Sequence, residues 1–151
     1  MAFPELAKAG STPPLYKMKE SGVIGKLQFA FYLRGMDEPD GLVNGGELQI
    51  GGYSMTRALG ELVWIPIVKR PYWELRLKRA YLGSDQTIAY SGKIVVDTGT
   101  SLIVAPKLIV EEWNRVFLKG TYNADTNYYM FDCKTVDSLP DLNFQLGEGK
   151  G

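Results

Sequence analysis

Ten residues near the middle of the chain constrain its fold most: Ile94-Val95-Val96-Asp97-Thr98-Gly99-Thr100-Ser101-Leu102-Ile103. An apolar run of strand length delivers one carboxylate into a turn of small hydroxyl residues and a glycine, and a second apolar run leaves it. β-branched runs of this size fit a strand better than an amphipathic helix. Asp97, at the end of such a strand, is expected to be buried, so its charge needs donors. Gly99 can let backbone N–H groups approach the carboxylate closely. The Thr100 and Ser101 hydroxyls can donate to its outer oxygen, which leaves the Thr98 hydroxyl to bond elsewhere.

The rest of the chain reads as short strands with two short helices. Thr12-Pro13-Pro14 predicts a helix start with a hydroxyl cap, Leu15 and Met18 on one face, and Gly22 as the stop. Residues 27–33 place Leu27, Phe29, Phe31 and Leu33 on one strand face. Residues 35–46, with Asp37, Pro39, Asp40, Gly41, Asn44, Gly45 and Gly46, form the clearest loop and the best boundary. Strands are expected at 47–50, at 62–68 (interrupted by Pro66, hence an edge or bulge), and around Trp73, Leu75 and Leu77. Two more are expected at 87–90 and 93–96, separated by Ser91-Gly92. Ile109, Val110, Trp113, Val116 and Phe117 make a helix stripe. Residues 128–133 and 142–146 read as late strands, with a hairpin turn after them. Trp64, Trp73 and Trp113 are expected to pack in the core or at its rim. Lys69-Arg70 with Arg76, Lys78 and Arg79 is expected to be a solvated strand face.

Composition narrows the chemistry. Among 151 residues, 45% are hydrophobic and 23% charged, as in a globular domain. Lys plus Arg and Asp plus Glu are each 17, so the chain is formally neutral, which argues against a nucleic-acid binder. The absence of histidine removes Ser-His-Asp triads, Cys-His pairs and His-ligated zinc, and the single cysteine removes internal disulfides and Cys-only metal sites. Metal sites of those kinds are therefore not expected. No apolar run reaches the ~20 residues of a membrane span, and residues 1–5 do not form a signal peptide. Carboxylates, hydroxyls, lysines or backbone groups must carry any chemistry.

The turn at Asp97 admits three readings. One is a structural Asx-turn in which Asp97 bonds its own backbone. A second follows from the pattern Asp-x-Gly-Thr-Ser, which resembles the first phosphate loop of actin-like and sugar-kinase ATPases. That loop calls for a second strand directly after the turn and a later Asp-x-Gly. Here Ala105-Pro106 ends the apolar run, a helix follows, and no Asp-x-Gly comes after it. The third is a resemblance to the pepsin-like aspartic proteases. Residues 94–106 and the helix around Trp113 resemble that family's second active-site loop: apolar strand, Asp-Thr-Gly-Thr-Ser, apolar pair, small residue, Pro, helix. Other segments are similar to it in collinear order: 12–33, with Phe29-Ala30-Phe31-Tyr32-Leu33; 46–52, Gly-Glu-Leu-Gln-Ile-Gly-Gly; 60–67 and 72–75; 128–133; and 137–144, with Leu139-Pro140.

The resemblance implies an all-β chain: a partial pepsin-like fold, with residues 1–45 a remnant of the N-terminal lobe and interlobe strand, and 46–151 an incomplete C-terminal lobe. It implies an aspartic endopeptidase in which water is activated between two aspartates that share a proton; that dyad is the usual illustration of the effect. Asp97 would be the C-lobe catalytic aspartate, supported by Thr98, Gly99, Thr100 and Ser101. Tyr72, Gly99 and Thr100 would bind a peptide or protein substrate. The family implies no cofactor or metal, and a secreted or lysosomal/vacuolar location. The departures are equally specific. There is one Asp-Thr-Gly, the cysteine pair often found before the active-site strand is absent from 84–92, and Cys133 has no partner. The chain is therefore expected to be a fragment that needs a missing N-terminal lobe of the same polypeptide and is inactive alone. A homodimer could bring a second Asp97, although the residual N-lobe strand opposes simple two-fold pairing. A catalytically silent homologue that binds peptides or proteins is the alternative.

Overall fold

The computed structural model describes residues 1–35, 44–84 and 86–147. Residues 36–43 of the expected loop, with Asp37, Pro39, Asp40 and Gly41, lie outside the described residues, as do 148–151 of the expected final turn. The regular structure is mostly antiparallel strand, with two seven-residue α-helices, the all-β class implied by the sequence. Two compact units divide it, Met1–Trp64 and Ile65–Gly151.

In the first unit, helix α1 (Pro14–Glu20) begins after Pro13, whose extended backbone occupies the cap position. Thr12 is not the cap: proline, which lacks an N–H, removes one donor that a hydroxyl would otherwise satisfy. The stop is as expected, with Gly22 at φ +76° and its N–H on the Lys19 carbonyl at 3.2 Å. Phe3 and Leu15 are buried. Strands β1 (Phe29–Leu33) and β2 (Gly46–Ile50) form a two-stranded ribbon in the register Phe29–Ile50, Phe31–Leu48, Leu33–Gly46. The period is as expected, but the apolar face is not the covered one. Phe31 and Leu33 are 39% and 64% exposed, while Ala30 and Tyr32 are half-buried. Arg57 lies 4.8 Å from the Tyr32 ring and 3.3 Å from Glu47, the residue opposite Tyr32. Trp64, expected to pack, is 70% exposed.

The second unit is built around strand β4 (Glu74–Leu82). Strand β5 (Gln86–Val95) pairs along one side of it. The other side is shared end to end by β3 (Ile67–Lys69) and β8 (Leu142–Leu146). Pro66 thus precedes a short edge strand, and 62–65 does not pair; a residue without an N–H cannot continue a ladder. Leu77 is buried and Arg76 and Lys78 exposed, as alternation requires, but the next buried residues are Ala80 and Leu82. The register shifts between Leu77 and Ala80, a β-bulge that moves the inward face from odd to even positions. β5 is one strand rather than two, because Gly92 takes φ +153° and lets the backbone run through Ser91-Gly92. Helix α2 (Lys107–Trp113) passes into a single π turn, closed by the Lys119 N–H on the Asn114 carbonyl at 2.7 Å. It lays Trp113 on the inner face of the sheet, where Leu77, Ala80, Leu82 and Trp113 form the core. Strands β6 (Thr121–Asn123) and β7 (Tyr128–Met130) make a separate hairpin. The strand expected to reach Cys133 ends at Met130, because the Asp132 carboxylate accepts the Lys134 N–H at 3.0 Å and starts a 3₁₀ turn over Cys133–Ser138.

Candidate active site

β5 leads into the Asp97 loop. Pairing continues one residue past the strand, with the Val96 N–H on the Trp73 carbonyl at 3.1 Å, and then the chain turns away. The carboxylate folds back over its own turn. Asp97 Oδ1 accepts the Gly99 N–H at 2.9 Å, and Asp97 Oδ2 accepts the Thr100 hydroxyl at 2.6 Å. The Thr100 N–H reaches the Asp97 carbonyl at 3.3 Å. Both oxygens therefore have a donor within three residues. Gly99 lets the carboxylate approach closely: a Cβ there would stand 3.2 Å from Asp97 Oδ1, and the side chain would have to give by a few tenths of an ångström.

The Thr100 hydroxyl, followed by the Gly99 N–H, holds the Asp97 carboxyl below the usual aspartate range. The group is exposed, and so are Val95 and Val96 before it, which corrects the expectation of a buried strand end. Its charge is met by hydrogen bonds from the turn and by solvent; no opposing layer covers the loop among the described residues.

Beside the loop is a cavity of about 530 Å³. Asp97, Thr100 and Ser101 stand at its rim, and Leu77, Trp113 and Phe144 line its apolar part. Thr98, Gly99 and Tyr72 do not line it. Thr98 is exposed on the loop, and Tyr72 is 52% exposed in the turn before β4, one residue from the backbone that pairs with Val96. Trp113 and Phe144 did not figure among the sequence-derived site residues. The helix stripe and the expected packing of Trp113 pointed to the core, and 142–146 read only as a strand; the pairing of β8 with β4 and the placement of α2 against the sheet bring both side chains to the cavity. Among the described residues, no group of three or more carboxylate, cysteine or histidine side chains could hold a metal ion, and no helix is long and apolar enough to cross a membrane.

Comparison with known proteins fits this arrangement. The profile of the eukaryotic aspartyl protease family matches residues 1–150. The chain is 32% identical over 142 residues to the vacuolar aspartic protease of Candida albicans, covering 94% of this chain and 33% of that protein. It is 32% identical over 149 residues to cathepsin E of Mus musculus, covering 98% and 36%. It is 35% identical over 134 residues to vacuolar protease A of Aspergillus fumigatus, covering 89% and 32%. The chain thus spans about a third of the length of these curated relatives. Its antiparallel sheets and two short helices make a partial pepsin-like all-β fold. With a family match that runs over residues 1–150 and relatives 32–35% identical over most of the chain, the chain belongs to the eukaryotic aspartyl protease family.

Proposed function

We propose that the protein to which these residues belong is an aspartic endopeptidase, with Asp97 one of two carboxylates that activate a water. The observation that supports this most is the two-sided hold on Asp97, a backbone N–H on one oxygen and a hydroxyl on the other. Such donors favour the ionised form of the carboxylate and fix its orientation. Set against a second carboxylate, Asp97 shares one proton with it, because two like charges in contact ionise together only at great cost. The ionised member takes a proton from the water. The water oxygen attacks the peptide carbonyl, and the protonated member hydrogen-bonds the developing oxyanion and then supplies the proton that the leaving amine needs.

In this reading Thr98, Gly99, Thr100 and Ser101 support the loop, and Gly99, Thr100 and Tyr72 contact a peptide or protein substrate. Thr98 carries a hydroxyl that the loop itself does not use, available to a facing loop. Residues 1–45 belong to the end of an N-terminal lobe and the interlobe strand, and 46–151 to part of a C-terminal lobe. The 151 residues hold one Asp-Thr-Gly. We infer that they do not turn over substrate alone and that a facing lobe of the same polypeptide supplies the mate. The relatives named vacuolar support a vacuolar setting for the enzyme, and a secreted one is the family's other usual location.

The test is cleavage of an unstructured protein substrate at acidic pH by the two-lobed protein, with and without a statine-type transition-state mimic, beside an Asp97→Asn variant. Loss of cleavage in the variant and in the presence of the mimic is expected. Undiminished cleavage by Asp97→Asn removes Asp97 from the reaction. A two-lobed protein that binds the mimic without cleaving is the silent homologue instead.

A further inference from the structure

We propose that the outer face of the β3–β4–β5 sheet is a docking surface for an acidic polypeptide segment, separate from the Asp97 loop. Cross-strand partners share a face of a sheet, and so do residues two apart along a strand. Lys69 stands opposite Glu74, and Arg76 opposite Lys93. Leu75 and Leu77 of β4 and Ile94 of β5 point the other way, into or toward the core. Lys69, Arg76, Lys78 and Lys93 therefore project outward together, with the Glu74 side chain, only 15% exposed, lying among them.

The bulge adds one more cation. In a regular strand Arg79 would face inward, since Lys78 faces outward. The register shift between Leu77 and Ala80 leaves Ala80 and Leu82 in the core and turns Arg79 away from it; Arg79 is half-buried, with its Nε buried and its guanidinium 4.3 Å from the Tyr81 ring. Two consecutive basic residues thus share one face. The face holds five cations, Lys69, Arg76, Lys78, Arg79 and Lys93, in a chain whose total charge is zero. Its one carboxylate, Glu74, is taken up by Lys93 at 2.9 Å. Arg76 and Lys93 sit directly opposite one another, a pairing of like charges that weakens a sheet. An acidic partner would offset that repulsion.

The pattern favours a protein segment over a nucleic acid or a sulfated glycan. The Glu74–Lys93 pair interrupts the cation field, so the cations left unpaired by it, Arg76, Lys78 and Arg79, run along one strand, a spacing that the side chains of an extended acidic segment can match. The aromatic ring on this face, Tyr81, is stacked against Arg79 and offers no open platform for a base. From Glu74 to Arg79 the strand spans roughly 17 Å, the length of about five extended residues.

The test is binding of the chain to an immobilised hexaglutamate peptide at low salt, against hexaserine peptide and heparin as comparators. Preferential binding to hexaglutamate is expected, weakening steeply with added salt. A triple variant, Arg76→Gln, Lys78→Gln, Arg79→Gln, should bind about tenfold more weakly. Lys107→Gln, Lys119→Gln, Lys134→Gln removes the same charge away from this face and should bind as the parent does. Far-ultraviolet circular dichroism separates a folding failure from a binding failure, and the single variant Lys78→Gln, exposed on the strand, provides a milder second case. Equal binding of both peptides, an unaffected triple variant, or binding of heparin without hexaglutamate overturns the proposal. Asp97→Asn should bind hexaglutamate unchanged, so this result stands or falls independently of the catalytic reading.

Discussion

The Thr100 hydroxyl donates to Asp97 Oδ2 at 2.6 Å while the Gly99 N–H takes Oδ1. This pair is the main reason why the carboxyl is held below its ordinary range. Thr100→Val keeps the β-branched shape and removes the donor, so the Asp97 pKa should rise toward the usual aspartate value. Thr100→Ser retains a hydroxyl and should leave it depressed. Titration of the side-chain carboxyl carbon by NMR reads this directly. No rise in Thr100→Val would show that the Gly99 N–H and solvent suffice.

The same depression has a consequence for stability against pH. A carboxyl whose pKa is lower in the folded chain contributes stability that is complete above the ordinary value, 3.8 for this aspartate, and is lost as pH falls through the folded value. Glu47 behaves alike from its ordinary 4.5, held down by the Gln49 amide and then by Arg57. Unfolding midpoints in urea, measured from about pH 6 to about pH 2, should fall on the acid side. Asp97→Asn should flatten the part of that fall below 3.8 and leave the Glu47 part in place. An identical acid limb in parent and variant would remove Asp97 from the linkage.

The legible parts of the molecule are those decided by neighbours along the chain. The donors to Asp97 lie within three residues of it, so the turn could be read from Asp97, Gly99 and Thr100 alone. Residues 142–146 alternate without interruption and form β8 as expected. The parts that could not be read depend on what lies across the sheet. The bulge after Leu77 breaks the period of two, so the strand that continues to Leu82 does not announce itself. Gly92 reads as a turn residue but is paired opposite Leu77. β6 is three residues long, too short to carry a pattern. The exposure of Asp97 is set by what covers the loop from outside, which no local pattern encodes.

The core prediction follows from that bulge. Leu82 is 1% exposed and lies on the shifted inward face with Ala80. Leu82→Ala should destabilise the second unit by about 2–5 kcal/mol, the cost of lost apolar contact plus the void left behind. Lys78→Ala, on the same strand but outward, should change stability by no more than about 0.5 kcal/mol. Urea unfolding of the two variants makes the comparison. Similar losses in both would mean that the register shift does not set which side chains are buried.

Gly120 carries the last prediction. The Asn114 side chain spans its peptide groups, accepting the Gly120 N–H at 2.8 Å and donating to the Gly120 carbonyl at 3.0 Å. This clamp ties the start of the π turn to the residue before β6, and the Phe131 ring closes over it: a Cβ on Gly120 would lie 2.6 Å from Phe131 Cε1 and 3.0 Å from Asn114 Oδ1. Gly120→Ala should therefore cost about 1–3 kcal/mol by crowding. Asn114→Ala, which leaves both Gly120 groups without this partner, should cost about 1–3 kcal/mol by a different route. Because the added Cβ would also crowd Asn114 Oδ1, removing the Asn114 side chain relieves part of that crowding, and the double variant should lose less than the two single losses combined. Additive losses in a double-mutant cycle would show that crowding at Phe131 and the loss of the Asn114 clamp act separately.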